Sequence, residues 1–180
     1  MEDVKADYID KKTRRRVFRR MQPANAAICR VALATGLRID DVCRLRTAQL
    51  NHARSHSGWL VVTEQKTGKR RRVRLSRADM RRFSVFAGRV YVFPGRRDPD
   101  KHRTRQRVWR DFTKARLAVG AAGHVSPHSL RKLYAVSRFE KSGDLAKVQR
   151  MLNHDSPATT VLYVMSRELT KAENKPKKKR

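Results

Sequence analysis

The chain has 180 residues and carries 45 Lys and Arg against 16 Asp and Glu, so its formal net charge is +29. This length suits one domain, or one domain with a tail, and allows a sizeable buried core. The charge disfavours an enzyme of small metabolites and favours a polyanionic partner, with nucleic acid ahead of an anionic membrane surface. No apolar run approaches the ~20 residues of a membrane span and no signal peptide opens the chain, so only charge supports membrane binding.

The two cysteines and six histidines show none of the spacings that are typical of zinc sites. Cys29 and Cys43 are therefore predicted to be buried thiols of a protein in the reducing cytoplasm. We predict no metal and no other cofactor.

The N-terminal part is predicted to be helical. Residues 1–22 contain the basic run TRRRVFRR and form either an irregular lead-in or a first helix. Pro23 fits a helix N-terminus, and the apolar spacing that follows predicts a buried helix ending at Gly36. Asp40 is expected to cap a short second helix.

The spacing of apolar residues then changes from a helical period to the alternation that is typical of strands. WLVVTEQ (59–65) is rich in β-branched and aromatic residues, and RRVRL (71–75) mixes apolar residues with arginines. KTGK lies between them, so the two stretches predict a β-hairpin, and VYVFPG (90–95) predicts a third short strand or an extended stop. The outer face of the hairpin is expected to be strongly basic, with Lys66, Lys69, Arg70, Arg71, Arg72 and Arg74.

Five helices are predicted in the second half. Ser76 caps the first, and the second is amphipathic with Val108, Phe112 and Leu117 facing inward. The third starts at Ser126-Pro127, the fourth is capped by Asp144, and the last begins at Pro157 and carries Tyr163. The predicted fold class is α+β and mostly α-helical, with a small antiparallel hairpin or three-stranded sheet.

Five short stretches contain the side chains that metal-free phosphoryl transfer needs: ATGLRIDD (34–41), KTGK (66–69), HSLRK (128–132), LNH (152–154) and Tyr163. Taken singly, each has an ordinary explanation as a surface arginine, a solvated lysine, a helix-end histidine or a core tyrosine. Together, a tyrosine can act as the nucleophile, two arginines can clamp the nonbridging phosphate oxygens, and histidine and lysine can move protons.

The order of these stretches resembles the tyrosine recombinases, also called phage-type integrases. Their catalytic domain carries ATGLR-x-x-E, a hairpin lysine, H-x-L-R-H and LGH-x-S-x-x-T-T-x-x-Y, where this chain has ATGLRIDD, KTGK, HSLRK and LNHDSPATTVLY. The match spans about residues 24–165. The resemblance implies the DNA breaking-rejoining catalytic fold of that family.

The resemblance also assigns roles by position. Lys66 becomes the general acid that protonates the leaving 5′-oxygen, with Lys69 as its rival. Asp41 stands where the family often has a glutamate that supports the first arginine, while Lys132 replaces the usual histidine after the second. Asn153 replaces a glycine and tolerates the same left-handed turn. The implied catalytic set is Arg38, Lys66, His128, Arg131, His154 and Tyr163.

The family implies cleavage of DNA through a 3′-phosphotyrosyl link, without ATP or metal, for integration, excision or inversion. The expected partner is double-stranded DNA, bound by a homo-tetramer on two sites through a Holliday junction, while the protein free in solution is expected to be a monomer. The expected place of action is the cytoplasm, either at the nucleoid or in the host cell of a virus. A type IB topoisomerase, or a non-catalytic DNA-binding protein on the same scaffold, is the alternative function.

The expected domain organisation is a basic lead-in (1–22), a catalytic domain (23–168) and a basic tail (169–180), with no N-terminal core-binding domain. DNA contact is then expected from the basic hairpin, except that Lys66 is assigned to catalysis, and from the N-terminal basic run. The predicted DNA-binding residues are Lys69, Arg70, Arg71, Arg72, Arg74, Arg14, Arg15 and Arg16.

Overall fold

The computed structural model describes residues 8–121, 123–153 and 161. In this part the chain forms eight helices and one antiparallel hairpin. They are α1 (Lys11–Arg20), α2 (Pro23–Thr35), α3 (Ile39–Cys43), α4 (Thr47–Ser55), β1 (Trp59–Thr63), β2 (Arg70–Arg74), α5 (Arg77–Ser84), α6 (Arg105–Ala118), α7 (His128–Ser142) and α8 (Leu145–Leu152).

Local capping chemistry sets several helix ends as predicted. α2 begins at Pro23 and ends at Gly36, which adopts a left-handed conformation with φ 68°. The side chains of Ser76 and Asp144 accept backbone N–H groups in the first turns of α5 and α8. The predicted cap at Asp40 is wrong, because α3 starts at Ile39 and Arg38 occupies the N-cap position.

The hairpin pairs β1 with β2 in the register Trp59↔Arg74 through Thr63↔Arg70. This confirms the predicted hairpin, but the described residues contain no third strand. Residues 90–95 make only isolated bridges, which join Arg46 to Tyr91 and Pro94 to His102. The segment bends at Val92 and Phe93 and closes over the core, where Phe93 is fully buried, so it does not extend the sheet.

Helix α1 belongs to the core. Val17 and Phe18 are buried, and α1 contacts α6. On α6 the inward positions are Val108, Phe112 and Ala115, whereas Leu117 is 64% exposed and its predicted inward position is wrong. Five residues after Phe112, Leu117 lies on a different helix face, since only positions three or four apart stack.

Cys29 and Cys43 are buried free thiols, as predicted. Burial raises the pKa of Cys43 to about 12 and raises the pKa of Cys29 further. Among the described helices, none combines the length and the apolar character needed to cross a bilayer.

Candidate active site

Arg131 connects three of the sequence stretches that carry candidate catalytic residues. It lies in α7, is only 2% exposed, and donates from Nη1 to the Gly36 carbonyl at 2.6 Å and from Nη2 to the Leu152 carbonyl at 2.5 Å. Gly36 precedes Arg38 by two residues, and Leu152 precedes His154 by two. One guanidinium therefore brings α7, the end of α2 and the end of α8 to a common point.

The close approach at Gly36 requires glycine. Its φ of 68° is in the left-handed region, and a Cβ at this position would lie 2.4 Å from Cδ1 of Tyr134 on α7. The absence of a side chain lets α2 end directly against α7, which leaves the Gly36 carbonyl open to Arg131.

Arg38 is held beside the hairpin. Its side chain is 20% exposed, and Nη1 donates to Oε2 of the fully buried Glu64 at 2.7 Å. Glu64 comes directly after β1, so this ion pair fixes the first candidate arginine against the base of the hairpin turn. The partial exposure leaves part of the Arg38 side chain accessible to solvent.

Asp41 anchors the same turn by a second contact. It is buried, and its Oδ1 accepts the backbone N–H of Gln65 at 2.9 Å. Burial, reinforced by the negative charge of Glu64, raises the pKa of the Asp41 carboxyl. The carboxylate that bonds the Arg38 side chain is therefore Glu64, while Asp41 holds the residue before Lys66; the supporting role assigned to Asp41 stays a prediction.

The hairpin turn presents two exposed lysines. The Glu64 N–H donates to the Lys69 carbonyl and the Gly68 N–H donates to the Glu64 carbonyl, which closes the turn around Lys66. The hydroxyl of Thr67 also donates to Oε2 of Glu64 at 3.2 Å. Lys66 and Lys69 are both exposed on this turn, and Glu64 joins the turn to Arg38 through its contacts with Thr67 and the arginine.

Arg71 is not on the outer basic face, and that prediction is wrong. It is 5% exposed and donates to the Thr35 carbonyl at 2.6 Å and to the Gly36 carbonyl at 3.0 Å, with Glu64 Oε1 at 3.5 Å. Burial lowers the pKa of Arg71, and the charge of Glu64 partly opposes this shift. Strand alternation explains the position, because residues 71, 73 and 75 share the inner face.

Glu64 was not among the predicted site residues, and Arg71 was predicted on the outer DNA-binding face and not inside the site. The signal was present in the period of the hairpin, since Leu60 and Val62 are buried and the next inward position is Glu64. An inward carboxylate just after one strand and an inward guanidinium on its partner strand indicate a buried ion pair.

His128 and Lys132 lie on α7, on either side of Arg131. His128 is the first residue of the helix and is half-buried, and its N–H donates to Oγ of Ser126 at 3.2 Å. Lys132 is 3% exposed. His128 is one helical turn from Arg131, as the spacing predicted.

The outer hairpin face carries Arg70, Arg72 and Arg74, which are exposed. The Arg72 guanidinium lies 4.4 Å from the ring centroid of Trp59 and the Arg74 guanidinium lies 5.9 Å from it. These stacks hold two cations outward on one side of the sheet.

On α1, Arg15 and Arg16 are exposed and Arg14 is half-buried. Burial lowers the pKa of the Arg14 guanidinium. Contact of any of these arginines with DNA stays a prediction.

His154 and Tyr163 lie outside the described residues. Just before His154, the Leu152 carbonyl is bound by Arg131 and Asn153 ends α8 in the left-handed conformation with φ 49°. The predicted left-handed turn at Asn153 is confirmed.

Comparison with known proteins identifies the class to which this fold and site belong. The sequence profile of the phage integrase family matches residues 9–169. The structure is similar to that of a XerA recombinase, with a TM-score of 0.70 and 20% identity over 96% of this chain and 65% of the other. It is also similar to a lambda integrase tetramer bound to a Holliday junction, with a TM-score of 0.71 and 18% identity over 98% of this chain and 51% of the other.

Sequence relatives give the same result. The tyrosine recombinase XerC of Xanthomonas campestris is 36% identical over 143 residues, which cover 76% of this chain and 42% of the relative. The tyrosine recombinase XerD of Mycobacterium tuberculosis is 30% identical over 159 residues, which cover 78% of this chain and 47% of the relative. The chain belongs to the phage integrase family of tyrosine recombinases, and it spans less than half the length of these two relatives.

Proposed function

We propose that this protein is a site-specific DNA recombinase that cleaves and rejoins DNA through a 3′-phosphotyrosyl intermediate. The observation that carries the proposal is the position of Arg131, which binds the carbonyl groups of Gly36 and Leu152 and so joins the segments that lead to Arg38 and His154. A phosphate placed at this point would meet two guanidiniums, and their charge would stabilise a pentavalent transition state.

In the proposed reaction the Tyr163 hydroxyl oxygen attacks the scissile phosphorus, and the bond to the 5′-oxygen breaks. The tyrosyl proton passes to a base near the phosphate, for which His128 and His154 are the candidates, and Lys66 protonates the leaving 5′-oxygen. The phosphodiester energy is kept in the phosphotyrosyl link, so a 5′-hydroxyl can attack it and restore DNA in the reverse direction.

The substrate of this proposal is double-stranded DNA in the cytoplasm. The net charge of +29 and the outward arginines of the hairpin provide a surface suited to phosphates. Lambda integrase, a structural neighbour, has been observed as a tetramer bound to a Holliday junction. By analogy we propose a homo-tetramer on two DNA sites, built on a catalytic domain of residues 23–168 with a basic tail at 169–180.

The deciding experiment traps the covalent intermediate. A duplex from the DNA flanking the gene is nicked just beyond the candidate scissile phosphate, so that a short 5′-hydroxyl fragment diffuses away after cleavage. The wild-type protein is expected to give a denaturant-resistant adduct, and Tyr163→Phe should give none while it binds DNA equally well. If the wild-type protein binds the duplex but forms no adduct, the result would favour the alternative of a non-catalytic DNA-binding protein.

The topoisomerase alternative is separated by a second substrate. A monomeric relaxing enzyme would remove supercoils from a plasmid that lacks any specific site and would never form joint molecules. A recombinase should instead form joint molecules between two site-bearing duplexes.

A further inference from the structure

We propose that Arg71 and Glu64 form a buried positioning pair that holds Arg38 and Arg131 at one phosphate site, so that Arg71 is needed for DNA cleavage although it does not touch DNA. This inference rests on the proposed recombinase function. It assigns a role to two side chains outside the predicted catalytic set.

The first support is the shared carbonyl of Gly36. Arg71 Nη1 donates to this oxygen at 3.0 Å and Arg131 Nη1 donates to it at 2.6 Å. Because the two Nη1 atoms share one acceptor, the distance between them cannot exceed the sum of those two hydrogen-bond lengths. Arg71 therefore lies directly beside the second candidate arginine.

The second support is the shared carboxylate of Glu64. Oε2 accepts from Arg38 at 2.7 Å, and Oε1 lies 3.5 Å from Nη1 of Arg71. Glu64 is fully buried and Arg71 is almost so. A chain of contacts thus runs from Arg38 through Glu64, Arg71 and the Gly36 carbonyl to Arg131.

The charges of this chain favour a phosphate ligand. Arg38 and Arg71 both contact the carboxylate of Glu64, and Arg131 adds a third guanidinium beside Arg71 at the Gly36 carbonyl. Even with the buried Asp41 counted beside Glu64, the group keeps a positive excess in a place from which water is largely excluded. An apolar side chain at position 71 would fill the inner face as Val73 does. It would leave the Thr35 carbonyl and one oxygen of Glu64 without this donor.

The inference is tested with Arg71→Met, which keeps an unbranched apolar stem like that of arginine and removes the guanidinium with its charge. The control is Arg89→Met, since Arg89 also pairs with a carboxylate, Asp100, but is 81% exposed. Both are assayed by single-turnover adduct formation on the nicked duplex at saturating protein, together with DNA affinity and thermal unfolding.

We expect Arg71→Met to form the adduct about a hundredfold more slowly, because a displacement of about 1 Å in a reacting group costs this much. Its DNA affinity should match that of Arg89→Met. Arg71→Lys should recover part of the rate and remain about tenfold slow, the cost of about one charge-assisted hydrogen bond. Arg89→Met should react at the wild-type rate.

A substrate with a sulfur in place of the leaving 5′-oxygen separates positioning of the arginines from proton donation. A thiolate leaves without a general acid, so this substrate should rescue Lys66→Ala and leave Arg71→Met slow. A wild-type rate for Arg71→Met, or a defect that the sulfur substrate erases, would overturn the inference.

If Arg71→Met does not fold, Arg71→Lys decides, because it keeps the buried charge. A wild-type rate for that variant would reject the role of Arg71. An absent adduct with the wild-type protein would instead reject the proposed function itself.

Discussion

Gly36→Ala is a direct test of the contact between α2 and α7 that positions the site. Alanine at φ 68° carries a left-handed conformational cost of about 1–2 kcal/mol. Its Cβ would also lie 2.4 Å from Cδ1 and 2.7 Å from Cε1 of Tyr134, and overpacking of this kind adds about 1–3 kcal/mol. The expected loss is about 2–5 kcal/mol, a large share of a total stability of roughly 5–15 kcal/mol.

Gly143→Ala provides the matched control. Gly143 also ends a helix, has φ 64°, and donates its N–H to the carbonyl four residues back at 2.8 Å, as Gly36 does. No atom lies within 4 Å of its hypothetical Cβ. This variant should therefore lose only the conformational part, about 1–2 kcal/mol.

Urea unfolding followed by tryptophan fluorescence and circular dichroism measures both variants. In thermal unfolding, Gly36→Ala should melt roughly 4–20 °C below the wild-type protein. A double-mutant cycle that combines Gly36→Ala with Tyr134→Ala should show coupling in the free energy of unfolding, because removal of the ring relieves the clash. Equal losses for Gly36→Ala and Gly143→Ala would refute the steric account of this contact.

Three further predictions concern titratable groups. Lys66→Ala should cleave DNA slowly, and a substrate with sulfur at the leaving 5′ position should restore its rate. The same substrate should give Lys69→Ala no such recovery. The reverse pattern would make Lys69 the general acid. The pKa of Asp41 is raised above 3.8 in the folded state, so the folded state binds this proton more tightly and stability should fall as pH rises from the unfolded value through the folded one. Urea unfolding as a function of pH should show that Asp41→Asn lacks this loss, and an unchanged slope would contradict the assignment. Cys29 and Cys43 should react with Ellman's reagent at neutral pH only after unfolding, because burial raises both pKa values; fast labelling of the native protein would count against this.

The sequence predicted local structure where local chemistry decides it. Pro23, Ser76 and Asp144 act within one helical turn of themselves, and the hairpin follows from its own alternation. The segment at 90–95 was harder, because its conformation depends on the bridge from Tyr91 to the distant Arg46 and on the core beneath it. Propensity for extended structure does not reveal whether a neighbouring strand is available.

The same reasoning explains what was missed in the site. Arg71 was grouped with its exposed neighbours because most arginines in so basic a chain are solvated. Its partners are the carbonyl groups of Thr35 and Gly36, which lie 36 and 35 positions earlier in the chain. No local sequence pattern predicts contacts over this separation. Strand period alone places Arg71 inward, but only the fold shows which acceptors make that position tolerable.

The contacts that build the site are also contacts that hold the domain together. Arg131 joins α7 to the ends of α2 and α8, so a variant that loosens these helices should lose cleavage before the chain unfolds globally. Tyr163→Phe removes only the attacking oxygen and should leave stability unchanged. Variants of Gly36 and Arg131 should therefore lose stability and cleavage together. A Gly36→Ala protein that is destabilised yet cleaves normally would show that the Gly36 carbonyl does not position Arg131 for the reaction.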